Sequence, residues 1–431
     1  MKEVSIMKTV KVAILGLGTV GSGVYKLIQK RADVMEKTIG AQMEVKKILV
    51  RNMNKKREGV DASLLTDNWN DIIEDEEIQI VIEVMGGIEP AKTMILEALR
   101  AGKNVVSANK DLIAEEGHVL LATAEENHVD FLFEAAVAGA IPIIRPMKQC
   151  LAVNDISEVV GIVNGTTNYI LTKMTEEGMD FSDALEKAQE LGFAEADPTS
   201  DVEGLDAGRK VAIMASIAFH SRVVFPNVFT EGITKITPED MEYAEELGMT
   251  IKLLGTSRKI GDDSFYAMVA PFLVGQTSPL YSVNDVFNAV FVHGNVLGDA
   301  MFYGSGAGKL PTGSAVAGDI FEVARDIMAG STGRINCTCY KELRLKRPQL
   351  LWRLSADPYG TVCRFLQICN APEQCGLSTT GLSNNTNCFS LGNFKAYTIN
   401  SFNSSNICKE ISMNIVKLNY VFRILHGSDI L

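Results

Sequence analysis

The chain of 431 residues lacks long apolar runs, an excess of positive charge and, over most of its length, cysteine. No uncharged apolar run reaches the roughly 18 residues that a membrane-spanning helix needs. Basic residues number 41 against 53 acidic ones, and the formal net charge of −12 argues against a nucleic-acid-binding surface. We therefore expect neither a membrane nor a nucleic acid as a partner.

Cysteine is almost absent from the first three quarters of the chain. Only one of the eight cysteines, Cys150, precedes residue 330. Cys337 and Cys339 form a C-x-C and not the C-x-x-C of a metal-binding knuckle. The start of the chain, MKEVSIMKTVKVAIL, has too short an apolar segment for a secretory signal peptide. The sequence thus predicts a cytoplasmic protein, in which a disulfide framework is not expected.

A glycine motif near the start of the chain predicts a dinucleotide site. Residues 9–30, TVKVAILGLGTVGSGVYKLIQK, have the pattern of a strand, a turn and a helix, with Gly16, Gly18 and Gly21 completing G-x-G-x-x-G. In this context the glycines permit a tight turn, the close approach of a pyrophosphate and close helix–strand packing. The alternative is a glycine turn with a structural role only.

The end of the second predicted strand bears on the choice of cofactor. The strand MEVKKILV is followed by Arg51 and by a basic group at residues 55–57. NAD sites favour an acidic residue near this strand end, whereas an arginine suits the 2′-phosphate of NADP. Arg51 therefore favours NADP over NAD, with a solvated basic loop as the alternative.

Two further predicted strands also end in small or polar residues. IQIVIEVMGG (78–87) ends in two glycines, and NVVSANK (104–110) ends in Ser107, Asn109 and Lys110. Ligands of open α/β sheets bind at the carboxyl ends of the strands. Lys110 is therefore a candidate for the nicotinamide or the substrate, although it could also be an ordinary surface lysine.

Glu134 is the one carboxylate in the apolar segment FLFEAAVAGAIPII (131–144). A buried glutamate needs a partner. The small residues around Gly139 leave backbone carbonyls available to a cation. The residues alone favour the alternative, in which Glu134 pairs with a lysine or a helix N-terminus.

The most charged segment of the chain precedes a helix that must be buried. In DPTSDVEGLDAGRK (197–210), Asp206 and Lys210 are spaced i and i+4, and the apolar run VAIMASIAF follows. The pair is either a surface ion pair or a catalytic one, in which the lysine protonates a carbonyl oxygen. Glu195 and Asp201 would suit an ammonium or hydroxyl group of the substrate. Upstream, FSDALEKAQELGF predicts an amphipathic helix with Ser182 as N-cap and Gly192 just after its end.

Residues 8 to about 340 resemble bacterial homoserine dehydrogenases. The matching segments are GLGTVG, VMGG, SANKDLIAEEG, FEAAVAGAIPII, VNGTTNYIL, LGFAEADPTSDVEGLDAGRK and GAGKLPTGSAVAGDI. They occur in family order over about three quarters of the chain. The resemblance implies the NAD(P)H-dependent interconversion of L-aspartate 4-semialdehyde and L-homoserine, on the route to threonine, methionine and isoleucine.

The resemblance also implies the fold. We expect an α/β Rossmann-type NAD(P)-binding domain at 1–140, completed by about 305–340. An α+β substrate-binding, catalytic and dimerisation domain is expected at 141–304, and a C-terminal ACT-like, ferredoxin-like regulatory region at 348–431. A homodimer or homotetramer follows from the same resemblance.

The resemblance assigns roles to individual residues. Lys210 is the proton donor and Asp206 orients it. The substrate-binding residues are Glu195, Asp201, Asp206 and Lys110. The cofactor-binding residues are Gly16, Gly18, Thr19, Val20, Gly21, Arg51, Ser107, Lys110, Gly192, Gly306 and Gly308. A monovalent cation, with Na⁺ expected, is implied at Glu134 and the carbonyls of Val137, Gly139 and Ile141.

The last quarter matches the family at its ends only. LLWRLSADPYGTV (350–362) and IVKLNYVFRIL (415–425) resemble the first and last strands of an ACT domain, which binds an effector such as threonine. Residues 363–410 are atypical, being rich in Ser, Asn, Thr and Cys. Either this part has diverged, or it is read in a shifted frame, which the abrupt change in composition favours. Both explanations argue against threonine binding there.

Two alternative functions would use part of the same motifs. Another NAD(P)-dependent oxidoreductase of amino-acid pathways, one that forms a thioester, would need a nucleophilic cysteine. Cys150 lies in MKQCLAV with no adjacent histidine. A non-catalytic NADP-binding sensor would need the glycine turn but not Lys210 and Asp206, so the presence of both argues against it.

Overall fold

The computed structural model describes residues 8–261, 264–333 and 344–345. These residues form two compact units. The first contains residues 8–157, 212–225 and 292–333, and the second contains the remaining described residues. The ACT-like region predicted at 348–431, with its atypical segment 363–410, lies outside the described residues.

The strands, numbered in chain order, are as follows. They are β1 (Thr9–Leu15), β2 (Gln42–Leu49), β3 (Leu65–Thr66), β4 (Ile78–Glu83), β5 (Asn104–Ser107), β6 (Phe131–Leu132), β7 (Ile156–Ile162), β8 (Phe229–Thr230), β9 (Met249–Lys259), β10 (Ser264–Gly275), β11 (Phe287–Gly294), β12 (Gly298–Ser305) and β13 (Arg344–Leu345).

The α-helices are α1 (Thr19–Lys30), α2 (Ala32–Ile39), α3 (Asn70–Ile73), α4 (Ala91–Arg100), α5 (Lys110–Glu126), α6 (Gly165–Glu177), α7 (Phe181–Glu190), α8 (Thr199–Val202), α9 (Leu205–Ala218), α10 (Pro238–Glu246) and α11 (Lys309–Ala329). A short turn of π-helix covers Pro146–Cys150. Among the described residues, no helix is both long and apolar enough to cross a membrane.

The first unit is built on a parallel sheet in the order β3-β2-β1-β4-β5-β6. The predicted strands of the glycine motif and of the segments at 78–87 and 104–110 are confirmed as β1, β4 and β5. Strand β1 is central, and its Val12 and Ile14 are fully buried. Helices α1 and α11 cover one face, with the apolar residues Val24, Ile28, Val316, Ile320 and Val323 in the core. This is the doubly wound arrangement in which ligands bind at the strands' carboxyl ends.

The second unit contains a mainly antiparallel sheet. Strand β9 pairs with β10 along nearly its whole length, from Met249 opposite Gly275 to Lys259 opposite Phe265, and with β7 on its other side. Strand β10 is buried from Ser264 to Val274, so both faces of the sheet are covered there. Helix α6 starts directly after β7, which places its N-terminus at a strand end.

The first unit extends to residue 157, and the carboxylate of Glu134 holds part of this segment by accepting hydrogen bonds from the backbone amides of residues 143–145. The domain bounds at 1–140 and 141–304 stay predictions. One local prediction differs from the structure. The prediction of Ser182 as an N-cap is wrong. Helix α7 begins two residues earlier than that cap implies, at Phe181, and its N-cap is Asp180. Gly192 lies just after the helix with a left-handed φ of +74°, as predicted.

Candidate active site

The turn between β1 and α1 carries the glycine motif. Gly16 has a left-handed φ of +96°, and its N–H donates to the carbonyl of Leu49 at the end of β2 (3.0 Å). A Cβ on Gly21 would lie 2.1 Å from the carbonyl oxygen of Gly16, so the fold itself requires both glycines. A Cβ on Gly18 would meet no protein atom within 4 Å. The missing side chain of Gly18 therefore leaves open space above the turn.

The N-terminus of α1 faces this space. The helix begins at Thr19, with Gly18 as an N-cap that supplies no side-chain hydrogen bond, and no acidic residue lies in the first turn. The amides of Thr19 and Val20 thus have no capping group from their own helix. Uncapped N–H groups and the helix dipole favour an anionic group such as a phosphate.

Arg51 follows the strand next to the glycine turn. It is exposed and lies two residues beyond the end of β2. The hydrogen bond from Gly16 to Leu49 joins this strand end to the glycine turn. Arg51 is thus available to a phosphate group near the turn.

The ends of β4 and β5 form a buried polar network. The carboxylate of Glu83, fully buried, accepts hydrogen bonds from the amides of Met85 (2.8 Å) and Gly86 (3.2 Å) and from the hydroxyl of Ser107 (2.7 Å). The side chain of Asn109 donates to it more weakly (3.5 Å) and to the carbonyl of Gly87 at 2.6 Å. Burial raises the pKa of Glu83, and these donors oppose the rise.

Glu83 had no predicted role, although an acidic residue inside the apolar run IVIEVM could have indicated one. The network fixes the backbone of the loop after β4, where Gly86 and Gly87 both have φ of +76°. Asn109 also caps α5 by accepting from the amide of Leu112 (3.2 Å). Lys110 is the first residue of α5 and is partly buried.

Gly139 lies against the glycine loop that precedes α11. A Cβ on Gly139 would lie 2.2 Å from the carbonyl oxygen of Gly306, and the amide of Ala140 donates to the carbonyl of Ser305 (3.2 Å). Gly308 is the N-cap of α11 with a φ of +127°. The structure thus brings the predicted cation-binding segment to Gly306, one of the predicted cofactor-binding residues.

The carboxylate of Glu134 is a helix cap. It accepts hydrogen bonds from the amides of Ile143 (2.6 Å), Ile144 (2.8 Å) and Arg145 (2.7 Å). These residues lead into the helical turn at Pro146–Cys150, so the helix-N-terminus alternative for Glu134 is confirmed. The burial of Glu134 therefore needs no cation to explain it.

The three backbone carbonyls that are predicted to bind a cation have features expected of cation ligands. Val137, Gly139 and Ile141 are buried. Within residues 8–261, 264–333 and 344–345, their carbonyl oxygens accept no backbone hydrogen bond. The chain turns sharply here, with left-handed φ at Ala138 (+54°) and Gly139 (+59°). Carbonyl oxygens of buried residues that accept no backbone hydrogen bond suit a hard cation.

Lys210 and Asp206 face each other on α9 in the second unit. The ammonium nitrogen of Lys210 lies 2.6 Å from Oδ2 of Asp206 and donates at 2.6 Å to the carbonyl of Val163, after the end of β7. The Lys210 side chain is 11% exposed and that of Asp206 is 6% exposed. The pair is therefore not a surface ion pair.

Asn164, next to Val163, links two of the predicted site residues. Its amide nitrogen donates to Oδ1 of Asp201 (2.7 Å) and to Oδ2 of Asp206 (2.8 Å). Asn164 had no predicted role. Asparagine between a strand and a helix is a typical N-cap, and that signal could have placed Asn164 near the strand end.

Glu195 and Cys150 are both exposed. The carboxylate of Glu195 makes no hydrogen bond or ion pair with the described residues, and its backbone carbonyl accepts from the side chain of Gln189 (3.0 Å). The carboxylate of Glu195 therefore does not contact Asp201, Asp206 or Lys210 through a hydrogen bond or an ion pair. Cys150 is a free thiol, and nothing in its setting indicates a nucleophile.

Similarity to known proteins agrees with the geometry. Two family models match the chain, "Homoserine dehydrogenase, NAD binding domain" over residues 16–134 and "Homoserine dehydrogenase" over residues 142–321. The chain is 46% identical over 343 residues to the homoserine dehydrogenase of Bacillus subtilis (strain 168), a match that covers 79% of each.

Solved structures give the same result. A homoserine dehydrogenase from Thiobacillus denitrificans matches with a TM-score of 0.76 and 40% identity over 81% of each chain. A hyperthermophilic archaeal homoserine dehydrogenase in complex with NADPH matches with a TM-score of 0.62 and 28% identity, over 73% of this chain and 97% of that one.

Proposed function

The chain belongs to the homoserine dehydrogenase family, and we propose that Lys210 protonates the aldehyde oxygen of L-aspartate 4-semialdehyde as it is reduced to L-homoserine. The pairing of Lys210 with Asp206 and the carbonyl of Val163 carries this proposal. Reduction of an aldehyde adds a hydride to the carbon and a proton to the oxygen. A bound nicotinamide supplies the hydride, and Lys210 supplies the proton, directly or through water.

The geometry of Lys210 suits a proton donor. An ammonium group has three N–H donors. Two of them are directed to Asp206 and Val163, which leaves the third for a substrate oxygen. Asp206 keeps the ammonium in place and balances its charge. A donor held in this way can transfer its proton as charge develops on the oxygen.

The amino-acid end of the substrate is assigned to acidic residues of the second unit. Asp201 and Glu195 supply negative charge that complements an ammonium group. Asp206 contacts both Lys210 and Asn164, so it can orient the donor and hold the substrate. Lys110, at the start of α5 in the first unit, is assigned to the substrate and the nicotinamide.

NADP is the proposed cofactor, with NAD as a weaker substitute. Gly16, Gly18, Thr19, Val20 and Gly21 would hold the pyrophosphate at the N-terminus of α1. The exposed Arg51 suits the 2′-phosphate. The NADPH complex of the archaeal relative supports the choice. The remaining assigned contacts are those of Ser107, Lys110, Gly192, Gly306 and Gly308.

A monovalent cation, with Na⁺ as first choice, is proposed at the carbonyls of Val137, Gly139 and Ile141. The carboxylate of Glu134, which accepts hydrogen bonds from the amides of residues 143–145, would contribute negative charge to this site. An ion there would hold the segment that packs on Gly306.

Assembly and regulation follow from family membership alone. We propose a homodimer or homotetramer that acts in the cytoplasm and associates through the domain predicted at 141–304. Threonine is not proposed as an effector, because the atypical composition of residues 363–410 argues against threonine binding and the ACT-like region lies outside the described residues.

The test is NADPH oxidation by the purified chain with aspartate semialdehyde, compared with Lys210→Ala. We expect kcat to fall by about 100- to 10,000-fold, the usual contribution of a positioned acid, with NADPH affinity retained. Lys173→Ala is the matched control. Lys173 also forms an i,i+4 ion pair, with Glu177 (3.1 Å), but this pair does not include Lys210, Asp206 or Val163. Turnover by Lys210→Ala within a few-fold of the unmodified chain would refute the role of Lys210.

A further inference from the structure

Asn164 uses every hydrogen-bonding position of its side chain. The residue is 5% exposed and is the N-cap of α6. Its amide nitrogen donates to Asp201 (2.7 Å) and Asp206 (2.8 Å). Its amide oxygen accepts from the backbone N–H of Thr167 (2.9 Å) and from the hydroxyl of the same residue (3.0 Å). Two donors and two acceptor positions are thus all satisfied.

The orientation of this amide follows from its partners. An ionised carboxylate can only accept a hydrogen bond, and a backbone N–H can only donate one. The nitrogen of Asn164 must therefore face the two aspartates, and its oxygen must face Thr167. A flipped amide would set oxygen against two carboxylates and nitrogen against an N–H donor.

The dipeptide 163–164 contacts both members of the proposed proton-donating pair. The carbonyl of Val163 accepts from Lys210, and the amide of Asn164 donates to Asp206. Asn164 and Lys210 donate to the same oxygen, Oδ2 of Asp206. The position of Asp206 relative to Lys210 is therefore fixed by a group that need not touch the substrate.

We propose that Asn164 is a positioning residue that keeps Asp201 and Asp206 side by side and ionised, so that Asp206 stays paired with Lys210. The proposal rests on the role proposed for Lys210. Two neighbouring carboxylates repel and tend to share a proton. The amide of Asn164 gives each of them one hydrogen bond, which favours both charged forms.

Helix α6 gives Asn164 a rigid support. One turn along the helix, the side-chain nitrogen of Asn168 donates to the carbonyls of Val283 (3.1 Å), Asp285 (3.0 Å) and Phe287 (3.1 Å). Asn168 is 1% exposed. It is therefore a second buried asparagine of α6 that holds the helix and has no contact with the two aspartates.

The decisive variant is Asn164→Asp, which keeps the size and N-capping oxygen of the side chain but removes both donors. It puts a third carboxylate among two, and such a group takes up a proton more readily. We expect kcat to fall by about 10- to 100-fold, as for the loss of a charge-assisted hydrogen bond. The acidic limb of the kcat–pH profile should move up by about one pH unit. KM for aspartate semialdehyde should rise and KM for NADPH should not.

Asn168→Asp is the matched control, and Asn164→Ser is the second variant. Asn168→Asp should lower the melting temperature and leave the kcat–pH profile in place. Asn164→Ser keeps a capping oxygen without restoring both donors, so it should lose kcat even if Asn164→Asp folds poorly. NADPH binding and circular dichroism report on folding in each case.

The outcomes separate the two proposals. If Lys210→Ala keeps its turnover in the same assay, the proposed function fails. If Lys210→Ala loses turnover while Asn164→Asp or Asn164→Ser keeps the kcat and the acidic limb of the unmodified chain, the role of Asn164 alone is overturned. An Asn164 effect limited to melting temperature, like that of Asn168→Asp, would also overturn it.

Discussion

Ser107, the last residue of β5, donates a 2.7 Å hydrogen bond from its hydroxyl to the carboxylate of Glu83, the last residue of β4. The two residues are also direct partners in the parallel pairing of these strands. The bond therefore joins two neighbouring strand ends on the edge of the sheet where a dinucleotide is expected. Glu83 then fixes the loop that follows β4 through the amides of Met85 and Gly86.

We expect Glu83→Gln to weaken NADPH binding by about 10-fold, because an amide nitrogen replaces one carboxylate oxygen and cannot accept the hydrogen bonds that this oxygen received, whether from the loop amides or from Ser107. Titration of protein fluorescence with NADPH measures the effect. Glu97→Gln is the control, since Glu97 accepts an exposed hydrogen bond from Trp69 (2.6 Å) away from the strand ends. A dissociation constant for Glu83→Gln within twofold of the unmodified chain would contradict the role given to this network.

The glycine turn allows two alanine substitutions to be compared. Gly21→Ala should destabilise the protein by several kcal/mol or prevent folding, because its Cβ would lie 2.1 Å from the carbonyl oxygen of Gly16. Gly18→Ala should fold normally and bind NADPH at least about 10-fold more weakly, because its Cβ occupies only the open space above the turn. Thermal melting with and without NADPH distinguishes the two. Equal melting temperatures for both variants would argue against this division of roles.

Arg51→Ala should change cofactor preference. Loss of the guanidinium removes a partner for the 2′-phosphate, so KM for NADPH should rise by about 10-fold while KM for NADH stays unchanged. Lys55→Ala, an exposed cation of the same loop, is the control. An equal rise in KM for both cofactors would mean that Arg51 supports the loop and does not bind the 2′-phosphate of NADPH.

We expect the burial of Lys252 to make the stability of the protein depend on pH. Its side chain, 2% exposed, donates to the carbonyl of Val283 (2.8 Å) and to Asn284 (2.7 Å), and burial lowers its pKa from 10.5 to about 8. The unfolded chain then holds this proton more tightly than the folded one. Its effect on the free energy of unfolding is therefore constant below about pH 8 and becomes more favourable as the pH rises toward 10.5.

Lys252→Met removes this titration. Relative to the variant, the unmodified chain should gain about 2–3 kcal/mol of unfolding free energy between about pH 7.5 and about pH 10. Urea unfolding at several pH values measures the difference, and titrations common to both proteins cancel. A difference that stays flat over this range, or falls, would show that Lys252 keeps its proton as readily when folded.

Replacement of Na⁺ tests the carbonyl site. With choline as the only monovalent cation, turnover should fall and the melting temperature should drop by a few degrees, because three buried carbonyls would lose their partner. Readdition of NaCl at constant ionic strength should restore both. The same turnover and the same melting temperature in choline and in Na⁺ would contradict the proposed cation site.

The elements of the first unit could be predicted from the sequence because each has a strong local cause. The apolar strand, the glycine turn and the amphipathic helix at residues 9–30 are specified by neighbours in the chain. Helical periodicity likewise places Asp206 and Lys210, which are four residues apart, on the same face of a helix. Ser182 shows the limit of such signals, since several polar residues near a helix start compete to be its cap.

The amino-acid sequence by itself determined the glycine turn, the order of strands and helices around it, and the presence of Lys210 with Asp206 at the start of a buried helix. Only the tertiary structure decided that Glu134 caps residues 143–145, that Glu83 joins two strand ends, and that Asn164 bridges Asp201 and Asp206. The reason is physical. A periodic pattern depends on residues within a few positions, whereas the partner of a buried polar group comes from any element that packing brings within about 3 Å.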